Sequence, residues 1–234
     1  MSWWRRLIGK SPPLEPALRE RVQRYLGGSE PEFTHDFGST RFIVVDVETT
    51  GLRPHRDRLI SIGAVSVHQE LAHLEAGFEV ILRQSEPSAH ENILVHGIDG
   101  TTQTTGHDPA EALIEFLEYA RKDLLVGFHA DFDKMMITRA TSSFLGIGLQ
   151  NQWLDLAILA PEILTHLSKG ASTLDDWTDR LQITNPHRHN AVADALVTAQ
   201  LLQVTLAAAR ERGVSRTSEL IATERAGRSL LALR

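Results

Sequence analysis

The sequence predicts an α/β fold in which a mixed central sheet, containing an antiparallel three-strand meander, is flanked by helices. Three closely spaced segments rich in β-branched residues predict the meander, at 41–48, 58–67 and 74–82. After them, segments of helical periodicity alternate with short apolar segments, an order typical of helices packed on a sheet. Because short turns join the first three strands, we expect these neighbours to run antiparallel.

The first 40 residues predict a helical extension followed by a linker. After the helix-start signal "SPPLEP", four apolar residues share one helical face: Leu14, Leu18, Val22 and Tyr25. The segment "GGSEPE" is typical of a linker, so we expect the main domain to span residues 41–212. Residues 213–234 predict a basic C-terminal tail.

Four helices and two short strands are expected within the main domain after the meander. The helices are expected at about 108–121, 132–145, 173–181 and 190–211. The apolar segments "LLVGF" and "WLDLAIL" predict strands at 124–128 and 153–159. The resulting order, βββ-αβαβ-αα, indicates a mixed sheet covered by helices.

Composition and charge narrow the classes of function. The net charge is −6, but residues 1–24 carry +4 and residues 210–234 carry +3, so the middle carries −13. An acidic domain binds long nucleic acid poorly unless metal ions invert the local charge. The absence of cysteine suits a reducing cytoplasm, and no segment approaches the roughly 18 apolar residues of a membrane span. We therefore expect a soluble cytoplasmic protein.

The strand "FIVVDVETTG" ends in two carboxylates. Side chains alternate along a strand, so Asp46 and Glu48 project from one face while Val45 and Val47 project from the other. Two carboxylates this close repel each other unless a cation lies between them, and Mg²⁺ or Mn²⁺ takes such oxygen ligands. The alternative is a solvated strand end without a metal.

A third acidic residue follows the short strand of "VGFHADFDKMMI". Asp133 is predicted in the first helical turn after the carboxyl end of that strand, a common place for sites in α/β sheets. Alternatively, Asp133 only complements the helix dipole.

The segment "HRHNAVADALVTAQLL" adds a fourth acidic residue and a histidine. From Ala191 the segment predicts a largely apolar helix that is interrupted by Asp194. His189 precedes the helix and can reach a site whose floor holds the aspartate. The alternative is a surface histidine beside the cap residue Asn190.

Together these residues match the requirements of two-metal phosphodiester hydrolysis. Four carboxylates are available, from Asp46, Glu48, Asp133 and Asp194. His189 supplies an imidazole, the side chain that ordinarily exchanges a proton near neutral pH. Two ions roughly 3.5–4 Å apart can bind the attacking and leaving oxygens, while a histidine takes the proton of the attacking water.

Three ordered motifs resemble those of the DEDDh 3′–5′ exonucleases. "VVDVETTGL", "FHADFD" and "HNAVAD" are similar to the first, second and third motifs of this family, and "LRPHRDRLISIGAV" and "VHGID" also look like family sequence. The family includes the proofreading epsilon subunit of bacterial replicative DNA polymerase, ribonuclease T and oligoribonuclease. The resemblance covers about seven-tenths of the chain, roughly residues 41–205.

The resemblance implies an RNase H-like fold, two Mg²⁺ or Mn²⁺ ions held by the four carboxylates, and His189 as general base. It also implies contacts to the 3′-terminal nucleotide from Thr49, Thr50, Gly51 and Leu52, with His96 near its base. In the second motif, Phe128-His129 replaces the more frequent His-Asn, so Phe128 is assigned a stacking role. No role is assigned to His129.

Three functions follow as hypotheses. The leading one is a metal-dependent exonuclease that acts on single-stranded 3′ ends, with DNA favoured over RNA. A second is a 3′–5′ exoribonuclease of the ribonuclease T or oligoribonuclease type. A third is an accessory module tethered to a polymerase or another partner, with "SWWRRLIGK" or "RSLLALR" as docking segments.

Overall fold

A five-stranded mixed sheet forms the centre of the protein, as the sequence predicts. The computed structural model describes residues 14–185 and 188–233, so the docking segment "SWWRRLIGK" lies outside the described residues. The strands are β1 (Phe42–Thr49), β2 (Leu59–His68), β3 (Leu71–Ile81), β4 (Leu124–Gly127) and β5 (Trp153–Asp155). Their spatial order is β3-β2-β1-β4-β5. The first three strands are antiparallel, whereas β4 and β5 run parallel to β1, which confirms the predicted fold class.

Helices cover both faces of the sheet. In chain order they are α1 (Pro16–Leu26), α2 (His90–His96), α3 (Gly100–Thr105), α4 (Pro109–Ala120), α5 (Asp131–Phe144), α6 (Leu156–Ile163), α7 (Leu174–Leu181), α8 (Ala191–Glu211) and α9 (Thr217–Leu231). One apolar core joins Val44 of β1 to residues of α6, α7, α8 and α9. The other core joins Ile43 and Val45 to residues of α1, α4 and α5. Successive side chains of β1 therefore pack alternately into the two cores.

Helix α8 occupies the centre of its layer. By length and apolar composition it could cross a membrane, but 56% of its most apolar window is buried within the protein. Its residues Leu201, Leu202 and Leu206 pack in the first core. This is the behaviour of a core helix that lies on a sheet.

The predicted strand 153–159 is wrong beyond Asp155. Strand β5 ends at that residue and α6 begins at Leu156. The carboxylate of Asp155 accepts the backbone N–H of Ala157 at 3.0 Å, which caps the new helix. The apolar sequence could not distinguish a strand from a buried helix, because both are continuous apolar segments.

Both ends of the described chain pack against the domain. Arg21 of α1 forms ion pairs with Glu111 and Glu118 of α4, at 2.5 and 2.6 Å. At the other end, residues 217–231 form α9, although the sequence was interpreted as a tail. Leu220 of α9 is fully buried against the core that contains α6. The predicted domain boundaries at 40 and 212 remain predictions.

Candidate active site

Strand β1 presents two carboxylates on the face covered by α8. Asp46 pairs with Gly63 of β2, and Glu48 pairs with Ser61. One ligand oxygen each from Asp46, Glu48 and Asp194 forms a group whose members all lie within 4.8 Å of one another. Strand alternation thus brings the first two carboxylates together, and α8 adds the third.

Gly63 allows α8 to approach this part of the sheet. A Cβ at Gly63 would lie only 2.2 Å from the carbonyl carbon of Ala191 and 2.3 Å from the backbone nitrogen of Val192. The first turn of α8 therefore rests directly on the backbone of β2, opposite Asp46. This close approach brings Asp194, in the same turn, beside the carboxylates of β1.

Asp133 reaches the site from the first turn of α5. Its side chain is buried, and burial raises the pKa of its carboxyl to about 8. The charge of Asp133 also contributes to the raised pKa of Asp46. It lies outside the compact group of three, so the sequence-predicted set forms a triad with a fourth carboxylate next to it.

The site strongly disfavours negative charge. Burial, followed by the charges of Asp133, Glu48 and Asp194, raises the pKa of Asp46 well above its usual range. Burial and the charge of Asp194 raise the pKa of Glu48 to about 8. Without a cation, such carboxyls retain protons at neutral pH.

Arg188 supplies a positive charge at the site. Arg188 binds Asp194 at 2.7 Å and also binds Asp175 at 2.7 Å. Asp194 further accepts the side-chain amide of Asn185 and, at 3.0 Å, the backbone N–H of His189. The imidazole of His189 is exposed, on a backbone in the left-handed region with φ 61°. The histidine is thus anchored to a site carboxylate through its main chain.

The donor set fits hard divalent cations. All four acidic side chains offer oxygen atoms, which Mg²⁺ and Mn²⁺ prefer, and the chain contains no cysteine that would favour a softer metal. The raised pKa values and the arginine at Asp194 show that this group of carboxylates requires positive charge for full ionisation.

The residues after β1 form a tightly bonded turn. The hydroxyl of Thr49 donates to the carbonyl of Gly51 at 2.7 Å, and the backbone N–H of Thr50 donates to the carbonyl of Arg58 at 2.9 Å. Gly51 has a backbone φ of 156°, and a Cβ there would lie 2.8 Å from the Asp57 carboxylate, so a side chain at this position would be strained. Leu52 is 86% exposed and extends from the turn into solvent.

His96, which the family resemblance places near the base of the terminal nucleotide, is a buried residue at the end of α2. Its side chain is 6% exposed, its Nε2 lies 3.2 Å from the Ser88 hydroxyl, and its Nδ1 accepts the backbone N–H of Ile98. Burial lowers the pKa of His96. The ring is therefore engaged inside the protein, whereas Leu94 and Val95 of the same short helix are exposed. The sequence offered no signal for this direction.

Phe128 and His129 lie at the carboxyl end of β4. Their rings meet edge to face, with centroids 4.9 Å apart, and Phe128 also packs against the α8 core. The Nε2 of His129 donates to the carbonyl of Ser172 at 3.1 Å, and its backbone N–H donates to Asp155 at 3.0 Å. His129 thereby ties the site to the segment before α7.

Asp155 is an acidic residue near the site that the sequence analysis did not select. It is buried, and burial raises the pKa of its carboxyl. Its negative charge contributes to the raised pKa of Asp133. Its place at the carboxyl end of a strand is the same signal that marked Asp133, but the apolar segment around it favoured a continuous strand.

Comparisons with known proteins agree with this geometry. The RNase T family profile, described as exonuclease, matches residues 43–202. A DNA polymerase III PolC-type protein of Thermotoga maritima is 27% identical over 184 residues, 79% of this chain but 13% of the relative. A DNA polymerase III subunit epsilon-like protein of Rhodobacter capsulatus is 31% identical over 177 residues, 74% of this chain and 25% of the relative. This chain thus spans a minor part of each of these two relatives.

Solved exonuclease structures share the fold. Escherichia coli exonuclease I bound to single-stranded DNA superposes with a TM-score of 0.61 and 17% identity, covering 72% of this chain and 41% of that chain. Exonuclease X bound to duplex DNA with a 5′ overhang superposes with a TM-score of 0.55 and 19% identity. The superposition covers 71% of this chain and 91% of that chain. With the family profile matched across all three carboxylate motifs, the chain belongs to the RNase T family of exonucleases.

Proposed function

We propose that this protein is a metal-dependent 3′–5′ exonuclease that removes nucleotides from single-stranded 3′ ends, with DNA favoured over RNA. The observation that carries the proposal is the compact group of oxygens from Asp46, Glu48 and Asp194 beside Asp133. Membership of an exonuclease family and the single-stranded DNA bound to exonuclease I support the choice of substrate.

In this proposal the four carboxylates hold two divalent ions, either Mg²⁺ or Mn²⁺. Such ions, when bound, lower the pKa of a water and offset charge on the reacting phosphate. Asp46 and Glu48 project from a rigid strand that is buried on both faces, so they fix the position of the site. Asp194 and Asp133 complete the ligand set from the first turns of two helices.

His189 is proposed to accept the proton of the attacking water. Its ring is exposed, and its backbone N–H donates to Asp194, which keeps the residue next to the carboxylates. Imidazole is suited to general-base catalysis because it ordinarily exchanges a proton near neutral pH.

The turn after β1 is proposed to hold the terminal nucleotide. Thr49, Thr50 and Gly51 would present backbone groups, and the exposed Leu52 would pack against a base. Phe128 would stack from the end of β4. His96, whose Nε2 lies 3.2 Å from the Ser88 hydroxyl, is proposed to lie near the base of that nucleotide.

A degradation assay tests the proposed function. Matched DNA and RNA oligonucleotides, single-stranded and duplex, would carry a label at either end and be incubated with Mg²⁺, Mn²⁺ or chelator. We expect stepwise shortening of 5′-labelled single-stranded DNA that chelator abolishes. Faster shortening of RNA would favour the exoribonuclease alternative, because the 2′-hydroxyl is the group that a site must accept or reject. No degradation under any condition would overturn the proposal.

Association with a polymerase is a further part of the proposal. Relatives named as DNA polymerase III PolC-type and epsilon-like support it. Purified polymerase should bind the full chain more tightly than a chain that lacks residues 1–13, since that segment carries three basic residues and two tryptophans. If both chains bound the polymerase equally well, residues 1–13 would not be the segment that contacts it. We propose a cytoplasmic location, which the absence of cysteine suits.

The metal-free protein is expected to lose stability as pH rises. The pKa values of Glu48 and Asp133 are each raised to about 8 in the folded state, well above those of unfolded carboxyls near 4. The folded state therefore binds more protons between these limits, so stability is greatest at the acidic end and falls as pH approaches 8. In thermal unfolding, chelator-treated protein should melt at a lower temperature at pH 8.5 than at pH 6. Added Mn²⁺ should raise the melting temperature more at pH 8.5, and a chelator curve that does not change with pH would contradict this.

His189→Gln is expected to lower kcat by about 100-fold, the usual contribution of a general base. Because only the backbone of His189 contacts Asp194, binding of Mn²⁺ measured by calorimetry should stay within about twofold of wild type. His166→Gln, at another exposed histidine, is the matched control and should leave kcat unchanged. An unchanged kcat in His189→Gln would remove this residue from the mechanism.

A further inference from the structure

The turn between β1 and β2 carries three basic side chains next to the candidate nucleotide seat. Arg53, His55 and Arg56 are all exposed, in the segment that directly follows the exposed Leu52. We name residues 52–57 the basic loop. Within residues 14–185 and 188–233, no carboxylate pairs with Arg53 or Arg56, whereas neighbouring Arg58 and Arg83 pair with Glu86 and Asp108.

The backbone of the basic loop is held from the inside. The carboxylate of Asp57 accepts the backbone N–H of Arg53 at 2.7 Å and the hydroxyl of Thr50 at 3.3 Å. Arg139 of α5 donates to the backbone carbonyls of Pro54 and Asp57. These bonds use main-chain atoms of the loop together with one carboxylate. They fix the shape of the loop and leave its basic side chains available to a partner.

The charge of the basic loop differs from that of its surroundings. The middle of the chain carries −13, and two of the site carboxylates, Asp46 and Glu48, lie within six residues of the start of the loop. Ions bound at the carboxylates would offset the charge of the reacting phosphate, but the other phosphates of a polymer need their own cations. Guanidinium groups match phosphate oxygens in geometry as well as in charge.

We propose that the basic loop binds backbone phosphates of the nucleic acid beyond its terminal nucleotide. The inference rests on the proposed function, because it takes the terminal nucleotide to lie at Thr49–Leu52. A fixed loop can contribute two phosphate contacts without ordering a flexible segment on binding. These contacts set how firmly a long substrate is held and leave the chemical step at the carboxylates unchanged.

The test measures KM and kcat of the double variant Arg53→Ala/Arg56→Ala on a long oligonucleotide and on a dinucleotide. On a long oligonucleotide we expect KM to rise about tenfold with kcat unchanged. A plot of log KM against log salt concentration should become shallower by about 1.4, which is about 0.7 for each of the two lost contacts on a single strand. On a dinucleotide, which has no phosphate beyond the one that is cleaved, KM should not change. Arg24→Ala/Arg121→Ala, at exposed arginines on α1 and directly after α4, is the control variant and should behave as wild type.

The outcomes separate this inference from the proposed function. If wild-type protein degrades no polymer, the proposed function fails. If wild type is active and the double variant keeps its KM and salt slope on long single strands and on duplexes with recessed 3′ ends, only the basic-loop inference fails. An increase in KM on either polymer supports it, and an increase confined to the duplex assigns the phosphates to the complementary strand.

Discussion

Asp46→Asn is expected to lower the rate of 3′-end degradation by about 10³-fold, equivalent to ~4 kcal/mol of transition-state stabilisation. Asp46 lies among Glu48, Asp133 and Asp194, each of which raises its pKa by charge. Asparagine has nearly the same size but lacks the negative charge that draws a divalent cation, so metal affinity should fall together with kcat. Both quantities are measured on the same preparation, by steady-state kinetics and by calorimetric titration with Mn²⁺.

The same substitution should make the metal-free protein more stable. Removing one of four neighbouring carboxylates relieves repulsion, so the chelator-treated variant should melt at a higher temperature than wild type at pH 8.5. Asp179→Asn, at an exposed carboxylate on α7, is the matched control and should change neither activity nor melting temperature. Full metal-dependent activity in Asp46→Asn would remove the carboxylate group from the mechanism.

Gly63→Ala is expected to destabilise the fold by about 3 kcal/mol and to inactivate the enzyme as well. The new methyl group would lie 2.2–2.5 Å from backbone atoms of Ala191 and Val192, and no side chain can rotate away to make room. Helix α8 must therefore shift from β2 and carry Asp194 away from Asp46. The free energy of unfolding in urea and the rate on single-stranded DNA measure the two effects.

A glycine elsewhere in the chain controls for the general effect of the added methyl group. A Cβ at Gly148 meets no atom within 4 Å, so Gly148→Ala should leave activity unchanged and stability equal or slightly higher. If Gly63→Ala retained both wild-type stability and wild-type rate, the close contact of α8 with β2 would not be what positions Asp194.

The carboxylates at the end of β1 were predictable because the rule that places them is local. Alternation along a strand puts Asp46 and Glu48 on one face, and the structure confirms that they lie within 4.8 Å of each other. Asp133 and Asp194 were selected because each lies in the first turn of a predicted helix, and the fold places Asp133 after the carboxyl end of β4 and Asp194 beside the carboxylates of β1. Their roles as metal ligands, and that of His189 as base, stay predictions.

Features that depend on distant parts of the chain were not predictable from local patterns. The direction of His96 depends on how a seven-residue helix docks, and its periodicity is too short to show a buried face. Gly63 lies inside an apolar strand, where a glycine is a sign of close backbone approach, but the sequence does not say which element approaches. Helix α9 mixes two acidic and two basic residues with apolar ones, and its buried side packs in the core that contains α6.

Helix α9 makes the C-terminus a support of the catalytic domain. Arg228 binds Asp131 of α5 at 2.6 Å and lies 3.6 Å from the buried Asp155, which in turn holds the backbone of His129. A chain shortened after residue 212 would lose the arginine that faces a buried acid and would expose the apolar surface that Leu220 covers. Domain limits drawn from the motifs alone would therefore yield a fragment that contains every candidate catalytic residue but lacks the helix that packs on α6 and pairs with Asp131 and Asp155.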